Sequence, residues 1–355
     1  MKNIMGIIDD RKRPKGLEYL ITKRSPAAIP FGSKYRMVDL ILSSMSASGI
    51  KNVGIFTGEY SGSLLNHVKS GKEWGLLRNK DGLFMLPSRY EEHIDYLDRS
   101  KEEYVLYSDS TIVYFCNHEP MVQFMKEKDA DIVIAYGMDK KPPMTEGLYI
   151  DLDGDRVTGL SGKQLAPSYK RSMEVLLMKK SIFKSLLEGV GTKGSTPMEV
   201  LIGDYKKHTI YGYLYKGYVA YVDSLYCYYK ENMALLEEKL WTDLFQGKGS
   251  IITIRNDEAP TKYLEASNVT NTLVSEGCII KGNIENSMIF RGVKVKTGAK
   301  IKNSIIMQKA IIGRHAIIEN AILDKDVEIR AGVKIIGTPE KPLFISKNAI
   351  IEKEN

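Results

Sequence analysis

The chain carries the quartet Asn303-Ser304-Ile305-Ile306, and close variants of it return at nearly even intervals through the C-terminal third. The variants are Asn271-Thr272-Leu273-Val274, Asn286-Ser287-Met288-Ile289 and Asn320-Ala321-Ile322-Leu323, at offsets of 15, 17 and 17 residues. Steps of about six residues, three to a coil, are typical of a parallel β-helix, in which each coil buries its aliphatic residues only against its neighbours. We therefore predict a β-helix from about residue 265 onwards.

The N-terminal part of the chain has a different pattern. Apolar runs alternate with amphipathic stretches up to about residue 230, which indicates an α/β domain. Asp153-Gly154 predicts the tight turn of a hairpin over residues 148–160, and the tyrosine-rich residues 213–222 are predicted as one strand. We divide the chain into an α/β domain at 1–245 and a linker with the β-helix at 246–355.

Composition excludes several classes of protein. The 355 residues are 43% hydrophobic and 27% charged, and no apolar run approaches the ~20 residues that cross a membrane. Three widely spaced cysteines argue against a disulfide framework or a zinc cluster and suit a reducing cytoplasm. The net charge of +7 is not gathered into a basic block, so neither nucleic acid nor membrane is expected as a partner.

The segment Ile29-Pro30-Phe31-Gly32-Ser33-Lys34-Tyr35-Arg36-Met37-Val38-Asp39 places two cations after a Pro-aromatic-Gly turn. Arg can bind an anion bidentately and Lys supplies a point charge, so a phosphate group is a candidate ligand. A solvated basic loop is the alternative that residue types alone favour.

This segment resembles the proline-phenylalanine-glycine-glycine-lysine-tyrosine-arginine motif of bacterial glucose-1-phosphate adenylyltransferase, with Ser33 in place of the second glycine. Lys216-Gly217-Tyr218 and Ala259-Pro260-Thr261-Lys262-Tyr263 resemble later segments of the same family, in the same order. The resemblance implies an α/β nucleotidyltransferase domain (GT-A-like, Rossmann-like) with a mostly parallel mixed sheet, followed by a left-handed parallel β-helix.

The catalytic positions of that family are occupied by other residues here. The glycine-rich phosphate loop is replaced by Gly6-Ile7-Ile8-Asp9-Asp10-Arg11, whose two carboxylates would repel a triphosphate. Thr111 and Tyr221 stand at the two metal-binding aspartates, and Pro26 stands at the catalytic lysine. We therefore expect neither a catalytic residue nor a metal site in this chain.

Asp109 is the acidic residue nearest to Thr111 in the sequence. If both lay in one extended strand they would share a face, with Asp109 roughly 7 Å earlier along it. A hydroxyl is a weak Mg²⁺ ligand beside a carboxylate, so this arrangement predicts a poor metal site.

The resemblance also supplies candidates for ligand binding. Lys163, Ser172 and Gly217 match positions in the sugar-phosphate pocket, although Glu174 replaces a glycine there. The candidates for an anionic effector or a sugar phosphate are cationic side chains near the opening motif: Lys23, Arg24, Lys34 and Arg36. An exposed loop is an equal alternative for Lys23 and Arg24.

The hypothesis that unites these features is a regulatory, catalytically impaired subunit of glucose-1-phosphate adenylyltransferase in glycogen biosynthesis. It would act in the cytoplasm in a hetero-oligomer, expected to be a heterotetramer, whose active subunit binds ATP and Mg²⁺; no cofactor is assigned to this chain. The alternatives are an active nucleotidyltransferase that recruits Asp109, or Asp9 and Asp10, as metal ligands, and a stand-alone sugar-phosphate sensor. A β-helix acyltransferase that uses His315 is a further alternative.

Overall fold

The computed structural model describes residues 3–77, 81–87, 89–138, 147–162, 170–193, 196–246, 249–255, 257–265 and 267–352. It falls into two compact units. The first comprises Met1–Lys12, Val38–Ala220 and Gln246–Ile252, and the second Arg13–Met37, Tyr221–Phe245 and Thr253–Asn355. The second unit thus combines the β-helix with Arg13–Met37 and Tyr221–Phe245. The domain boundary at residue 245, which we expected from the change in sequence pattern, stays a prediction.

The helices and strands are numbered in chain order. The helices are α1 (Glu18–Ile21), α2 (Met37–Ala47), α3 (Gly62–Val68), α4 (Tyr90–Arg99), α5 (Glu119–Glu127), α6 (Lys180–Lys193), α7 (Pro197–Asp204), α8 (Leu225–Ala234) and α9 (Glu238–Phe245). The strands before the β-helix are β1 (Ile4–Asp10), β2 (Pro30–Phe31), β3 (Tyr35–Arg36), β4 (Asn52–Thr57), β5 (Gly82–Leu86), β6 (Tyr104–Asp109), β7 (Ile112–Tyr114), β8 (Ile132–Met138), β9 (Tyr149–Asp153), β10 (Arg156–Ser161), β11 (Lys170–Lys179), β12 (Ile210–Leu214) and β13 (Val219–Tyr221). Those of the β-helix are β14 (Lys262–Tyr263), β15 (Asn268–Thr270), β16 (Leu273–Val274), β17 (Ile279–Ile280), β18 (Asn283–Glu285), β19 (Met288–Ile289), β20 (Lys294–Val295), β21 (Lys300–Lys302), β22 (Ile305–Ile306), β23 (Ile311–Ile312), β24 (Ile317–Glu319), β25 (Ala321–Leu323), β26 (Glu328–Ile329), β27 (Lys334–Ile336), β28 (Leu343–Ile345) and β29 (Ile350–Ile351).

The first unit is built on a mixed sheet in the order β5-β4-β1-β6-β11-β8-β12-β10-β9. The block β5-β4-β1-β6 is parallel, as is the pair β8 and β12, whereas β11 runs antiparallel to both of its neighbours. Every residue of β1 and β4 is buried, which explains the apolar runs at 4–8 and 53–56 within them, because a parallel sheet is covered on both faces. The carboxyl ends of β1, β4 and β6 therefore meet at one edge of this sheet.

Two predicted strands of this unit can be compared with the structure. The hairpin around Asp153-Gly154 is confirmed, since β9 and β10 pair antiparallel and Gly154 has a φ of 58°. The single strand predicted over 213–222 is wrong, because a turn separates β12 from β13. At that turn Gly217 is exposed, and a Cβ on it would lie 2.3 Å from the hydroxyl of Tyr215, so a larger residue would require the end of the Tyr215 side chain to shift.

The repeats of the second unit form a parallel β-helix with three sheets, β14-β17-β20-β23-β26-β29, β15-β18-β21-β24-β27 and β16-β19-β22-β25-β28. Its interior is a column of buried Ile, Val, Leu and Ala side chains. The first residue of each quartet has a positive φ, between 41° and 47°, which explains the asparagines because Asn tolerates this conformation better than most residues. His315 lies exposed in another such turn, with a φ of 56°.

The second residue of the quartet joins successive coils. The hydroxyl of Ser304 donates to Lys302 O (2.7 Å) and accepts from the amide of Ala321 in the next coil (3.2 Å). Ser287 repeats this pattern with Glu285 O and the amide of Ser304. The buried serine thus satisfies backbone groups at a corner that strand pairing leaves open.

The segment with the Pro-aromatic-Gly motif also belongs to this unit. β2 and β3 form a short hairpin whose turn holds Gly32 and Ser33 at φ of 60° and 64°. The amide of Gly32 donates to Asn232 Oδ1 (3.0 Å), and the hydroxyl of Tyr229 in α8 donates to Asn303 O of the β-helix (2.6 Å). Helix α8 thereby holds the hairpin and the coils in one unit.

No helix in the described ranges combines the length and the hydrophobicity needed to span a bilayer.

Candidate functional site

The carboxyl ends of β1 and β6 present a pair of acidic side chains. Asp9 and Asp109 are direct partners in the parallel pairing of these strands, so their side chains point to the same face of the sheet. Both residues are buried, at 5% and 2% exposure. Ligands of open α/β sheets bind at the carboxyl ends of the strands, which makes this edge the candidate catalytic site.

Asp9 is already bound by a neighbouring cation. The guanidinium of Arg11 donates to Asp9 Oδ1 through Nε (2.8 Å) and to Asp9 Oδ2 through Nη2 (2.6 Å). The hydroxyl of Tyr107 donates to Asp9 Oδ2 as well (3.2 Å). Arg11 also lies 5.1 Å from the centroid of the Phe56 ring. A bidentate Arg–carboxylate pair is strong and geometrically specific, so Asp9 serves as the partner of Arg11.

Asp10, the last residue of β1, is also buried. It is 1% exposed, and its Oδ1 accepts a hydrogen bond from the hydroxyl of Ser110 (2.9 Å). This contact ties the end of β1 to the turn after β6.

The position of Asp109 corrects an expectation from the sequence. We expected Asp109 and Thr111 to be separated along one extended strand, but β6 ends at Asp109 and the chain turns. The amide and the hydroxyl of Thr111 both donate to Asp109 Oδ1, at 2.7 Å and 2.5 Å. The carboxylate therefore folds back onto the residue that stands at the family's metal position, because it accepts the hydrogen bonds of the turn.

A second cation lies between Asp109 and Glu174. The Nζ of Lys12 is 3.6 Å from Asp109 Oδ2 and 3.1 Å and 3.2 Å from the two carboxylate oxygens of Glu174. Burial first, and then the charge of Asp109, raise the pKa of Glu174, while Lys12 and Arg171 act in the opposite direction. Burial, followed by the charges of Asp9, Asp109 and Glu174, raises the pKa of Tyr107 well above its usual value, as expected when these acids surround it.

Glu174 has a positive φ, a backbone conformation that favours glycine, which is the residue that it replaces in the family motif. Its φ is 51°, and the pairing of β11 with β8 shifts register between Ser172 and Val175. The amide of Glu174 donates to the hydroxyl of Ser172 (2.9 Å). This bulge directs the carboxylate of Glu174 towards Lys12.

Two of the three sequence candidates for the sugar-phosphate pocket lie among the described residues. Ser172 is buried beside Glu174, whereas Gly217 is exposed in the turn between β12 and β13. Lys163 lies outside the described residues. The roles of all three in a sugar-phosphate pocket stay predictions.

The remaining family positions are in the second unit. Tyr221 ends β13 and is half-buried, and Pro26 begins a short buried 3₁₀ turn, Pro26–Ala28. Neither a phenol nor a proline can replace a metal-binding carboxylate or a catalytic ammonium. Within the described ranges, no group of three or more His, Cys, Asp or Glu side chains could hold a metal ion.

Arg24 forms the centre of a separate cationic cluster. It is 4% exposed, and its Nη2 donates to both carboxylate oxygens of Asp324 (2.7 and 2.8 Å). Its Nη1 is buried and has no hydrogen-bond partner among the described residues. Leaving such a donor unsatisfied is costly, so it indicates a place for an acceptor from outside the chain.

The surroundings of Lys325 show which other cations take part. Burial first, and then the charges of Arg36, Arg24 and Lys347, lower the pKa of Lys325 to about 6 against the opposing effect of Asp324. The charges of three other cations, Arg24, Arg36 and Lys347, thus act on Lys325, while Asp324 is the acid that opposes them. Lys23 and Lys34 are exposed, and neither is among the charges that shift this pKa.

The sequence of this chain matches known families and proteins along most of its length. A family model described as nucleotidyl transferase matches residues 17–188, and one described as GlmU-like, C-terminal hexapeptide matches residues 259–342. The glycogen biosynthesis protein GlgD of Bacillus subtilis is 34% identical over 362 residues, covering 98% of this chain and 96% of that protein. The chain belongs to the GlgD family.

Other relatives agree with this assignment. GlgD of Geobacillus stearothermophilus is 35% identical, covering 84% of this chain and 82% of that protein. A glucose-1-phosphate adenylyltransferase of Bacillus mycoides is 28% identical, covering 92% of each chain. The resemblance seen in the sequence is confirmed, as are the nucleotidyltransferase domain and the left-handed β-helix built from hexapeptide repeats.

Sequence reasoning about this GlgD-family chain missed the residues that neutralise its acids. Arg11 and Lys12 were visible directly after β1, but their partners depend on the bulge at Glu174 and on the turn after Asp109. Lys325 and Lys347 were missed as well, because they lie in turns of the β-helix where polar residues are common.

Proposed function

We propose that this chain is a regulatory, catalytically impaired subunit of glucose-1-phosphate adenylyltransferase, the activity that converts ATP and α-glucose 1-phosphate into ADP-glucose and pyrophosphate. The observation that carries the proposal is the internal pairing of the acids at the catalytic edge. Asp9 is bound by Arg11, and Lys12 lies between Asp109 and Glu174. An acid that is already neutralised inside the chain is a poor ligand for Mg²⁺.

The reaction has two requirements that this edge meets poorly. Nucleotidyl transfer needs a divalent cation to neutralise the triphosphate and to align it with the attacking sugar phosphate. It also needs backbone amides close to the phosphates, which a glycine-rich loop supplies. Here β1 is followed by Arg11 and Lys12, and both turn back to carboxylates of the sheet. These features support impaired catalysis.

The cluster around Arg24 supports a regulatory role. A phosphate, sulfate or sugar phosphate would give the buried Nη1 an acceptor and would offset the repulsion among Arg24, Arg36, Lys325 and Lys347. We assign the anionic effector to this cluster. Lys23 and Lys34 remain candidates for the exposed rim.

The partner that we propose is an active glucose-1-phosphate adenylyltransferase subunit, joined to this chain in a hetero-oligomer such as a heterotetramer in the cytoplasm. ATP and Mg²⁺ would bind in that subunit. The likeness to an adenylyltransferase along 92% of both chains supports this choice, because homologous chains share the surfaces on which a mixed assembly can form.

The test is a pyrophosphate-release assay on three samples: the purified chain, a purified active adenylyltransferase subunit, and the two expressed together. We expect turnover at background level for the chain alone, and a mixed assembly whose rate or effector response differs from that of the active subunit. Turnover of the chain alone that disappears in Asp109→Asn would contradict the proposal and favour an enzyme with relocated metal ligands. Sulfate or sugar-phosphate binding without any assembly would favour a stand-alone sensor.

The effector assignment is tested in the mixed assembly. Arg24→Met should remove the response to a phosphorylated effector. The control is Lys51→Met, which replaces an exposed lysine far from the cluster in sequence and should leave the response intact. An unchanged response in Arg24→Met would refute the assignment.

A further inference from the structure

We infer that Lys12 is a built-in substitute for a metal ion: its ammonium group occupies the cation position between Asp109 and Glu174 and keeps a divalent cation out of the cleft. This inference rests on the proposed function, since it names the residue that closes the site to Mg²⁺. The family's fold implies a metal at this edge, and the residues present do not fit one as they stand.

The first step of the argument is the geometry of the contact. The Nζ of Lys12 lies 3.1 and 3.2 Å from both carboxylate oxygens of Glu174, and 3.6 Å from Asp109 Oδ2. These oxygens come from two different strands, β11 and β6, and converge on a single positive centre. The ammonium group is a compact point charge and can replace a small cation between two carboxylates in a way that the planar guanidinium of Arg cannot.

The second step is burial. The side chains of Asp109 and Glu174 are 2% and 12% exposed, whereas that of Lys12 is 40% exposed, with its head group at the acids. Two buried carboxylates that act electrostatically on each other need a counter-charge or a proton. Besides Lys12, the cation that faces Glu174 is Arg171, and Asp109 receives its remaining hydrogen bonds from the uncharged Thr111. Loss of Lys12 would therefore leave an anionic gap.

The third step concerns the surroundings of that gap. Asp9 is the cross-strand partner of Asp109, and the hydroxyl of Tyr107 lies against Asp9. A cation bound between Asp109 and Glu174 would have carboxylate oxygens and water as ligands, the set that Mg²⁺, Mn²⁺ and Ca²⁺ prefer. Tyr107 would lie close enough to pass excitation energy to a luminescent ion.

The experiment uses the full-length chain without nucleotide, sugar phosphate or partner. Lys12→Met removes the ammonium and keeps the aliphatic stem. Tb³⁺ is the probe, because it prefers oxygen ligands and emits when a nearby tyrosine is excited, and Mn²⁺ is the competitor. The matched control is the double variant Lys12→Met/Glu174→Gln, which reports Tb³⁺ bound elsewhere on the surface.

We expect a saturable Tb³⁺ emission in Lys12→Met, at least tenfold tighter than any in the wild type, displaced by Mn²⁺ and absent from the double variant. Mn²⁺ should also raise the thermal midpoint of Lys12→Met and not that of the wild type. The same Tb³⁺ and Mn²⁺ measurements are made on Lys12→Gln, which also lacks the ammonium group. If one of the two variants fails to fold, the other still tests the inference.

Equal Tb³⁺ affinity in the wild type and in both Lys12 variants would overturn the inference, as would emission that persists in the double variant. The proposed function is judged separately by pyrophosphate release from the wild type. The two can therefore fail independently.

Discussion

Anion binding at the Arg24 cluster should strengthen steeply as the pH falls, because one of its four cations is mostly uncharged at neutral pH. The pKa of Lys325 is lowered to about 6, chiefly by burial and then by Arg36 and Arg24, with Lys347 adding to the shift and Asp324 opposing it. The guanidinium groups stay charged throughout, so Lys325 is the member of the cluster that titrates between pH 6 and pH 8.

The size of the effect follows from the fraction of Lys325 that carries a charge. With a pKa of about 6, roughly half of the amines are charged at pH 6 and about 1% at pH 8. If a dianion binds only the charged form and keeps it charged, its affinity should rise about 50-fold between pH 8 and pH 6, which corresponds to about 2.3 kcal/mol. Binding at pH 8 should be accompanied by the uptake of about one proton.

Sulfate is the suitable probe, because it remains a dianion over this range, and titration calorimetry at constant ionic strength measures its affinity. Buffers with different heats of ionisation measure the proton uptake. In Lys325→Met the affinity at pH 6 should fall and its dependence on pH should disappear, whereas Arg24→Met should weaken binding at both pH values. Sulfate affinity that is equal at pH 6 and pH 8 in the wild type would refute the reasoning.

Three further results are expected from the structure. Glu174→Gly should be more stable to urea than Glu174→Gln by about 1 kcal/mol, because both lose the charge but only glycine suits a φ of 51°; equal stability would mean that this backbone is not strained. Ser304→Ala should lower the free energy of unfolding by about 1–3 kcal/mol through its two lost hydrogen bonds, against a change within about 0.5 kcal/mol for the exposed Asn283→Ala. Burial lowers the pKa of His118 from 6.5 to about 4, so the folded state stays neutral there while the unfolded state gains a proton, and stability should fall as the pH drops through this window; His118→Gln should reduce the slope measured in urea by about 1.4 kcal/mol per pH unit.

The β-helix could be predicted because the sequence pattern that specifies each coil is short and repeats along the chain. Each quartet places an Asn in a left-handed turn and aliphatic residues at the next strand, so a single coil predicts its neighbours. The α/β domain was predictable from alternation alone. The break in its tyrosine-rich segment was not, since Tyr215 and Tyr218 continue the aromatic pattern between β12 and β13.

The candidate site was less accessible to sequence reasoning. The loss of the family's metal acids could be seen at Thr111, but the folding back of Asp109 onto it depends on a turn that an extended strand does not predict. The pairing of Lys12 with Glu174 joins residues 162 apart, and no local pattern marks such a contact. The same is true of the cations that the β-helix contributes beside Arg24.

The ion pair of Arg24 with Asp324 also limits when, during synthesis of the chain, the buried charge of Arg24 can be neutralised. The two residues are 300 positions apart in the chain. At about 5–20 residues per second, Arg24 is synthesised roughly 15 to 60 s before Asp324. The pair with Asp324 can therefore form, and neutralise the buried guanidinium, only after the fourth quartet and the residue that follows it have been translated.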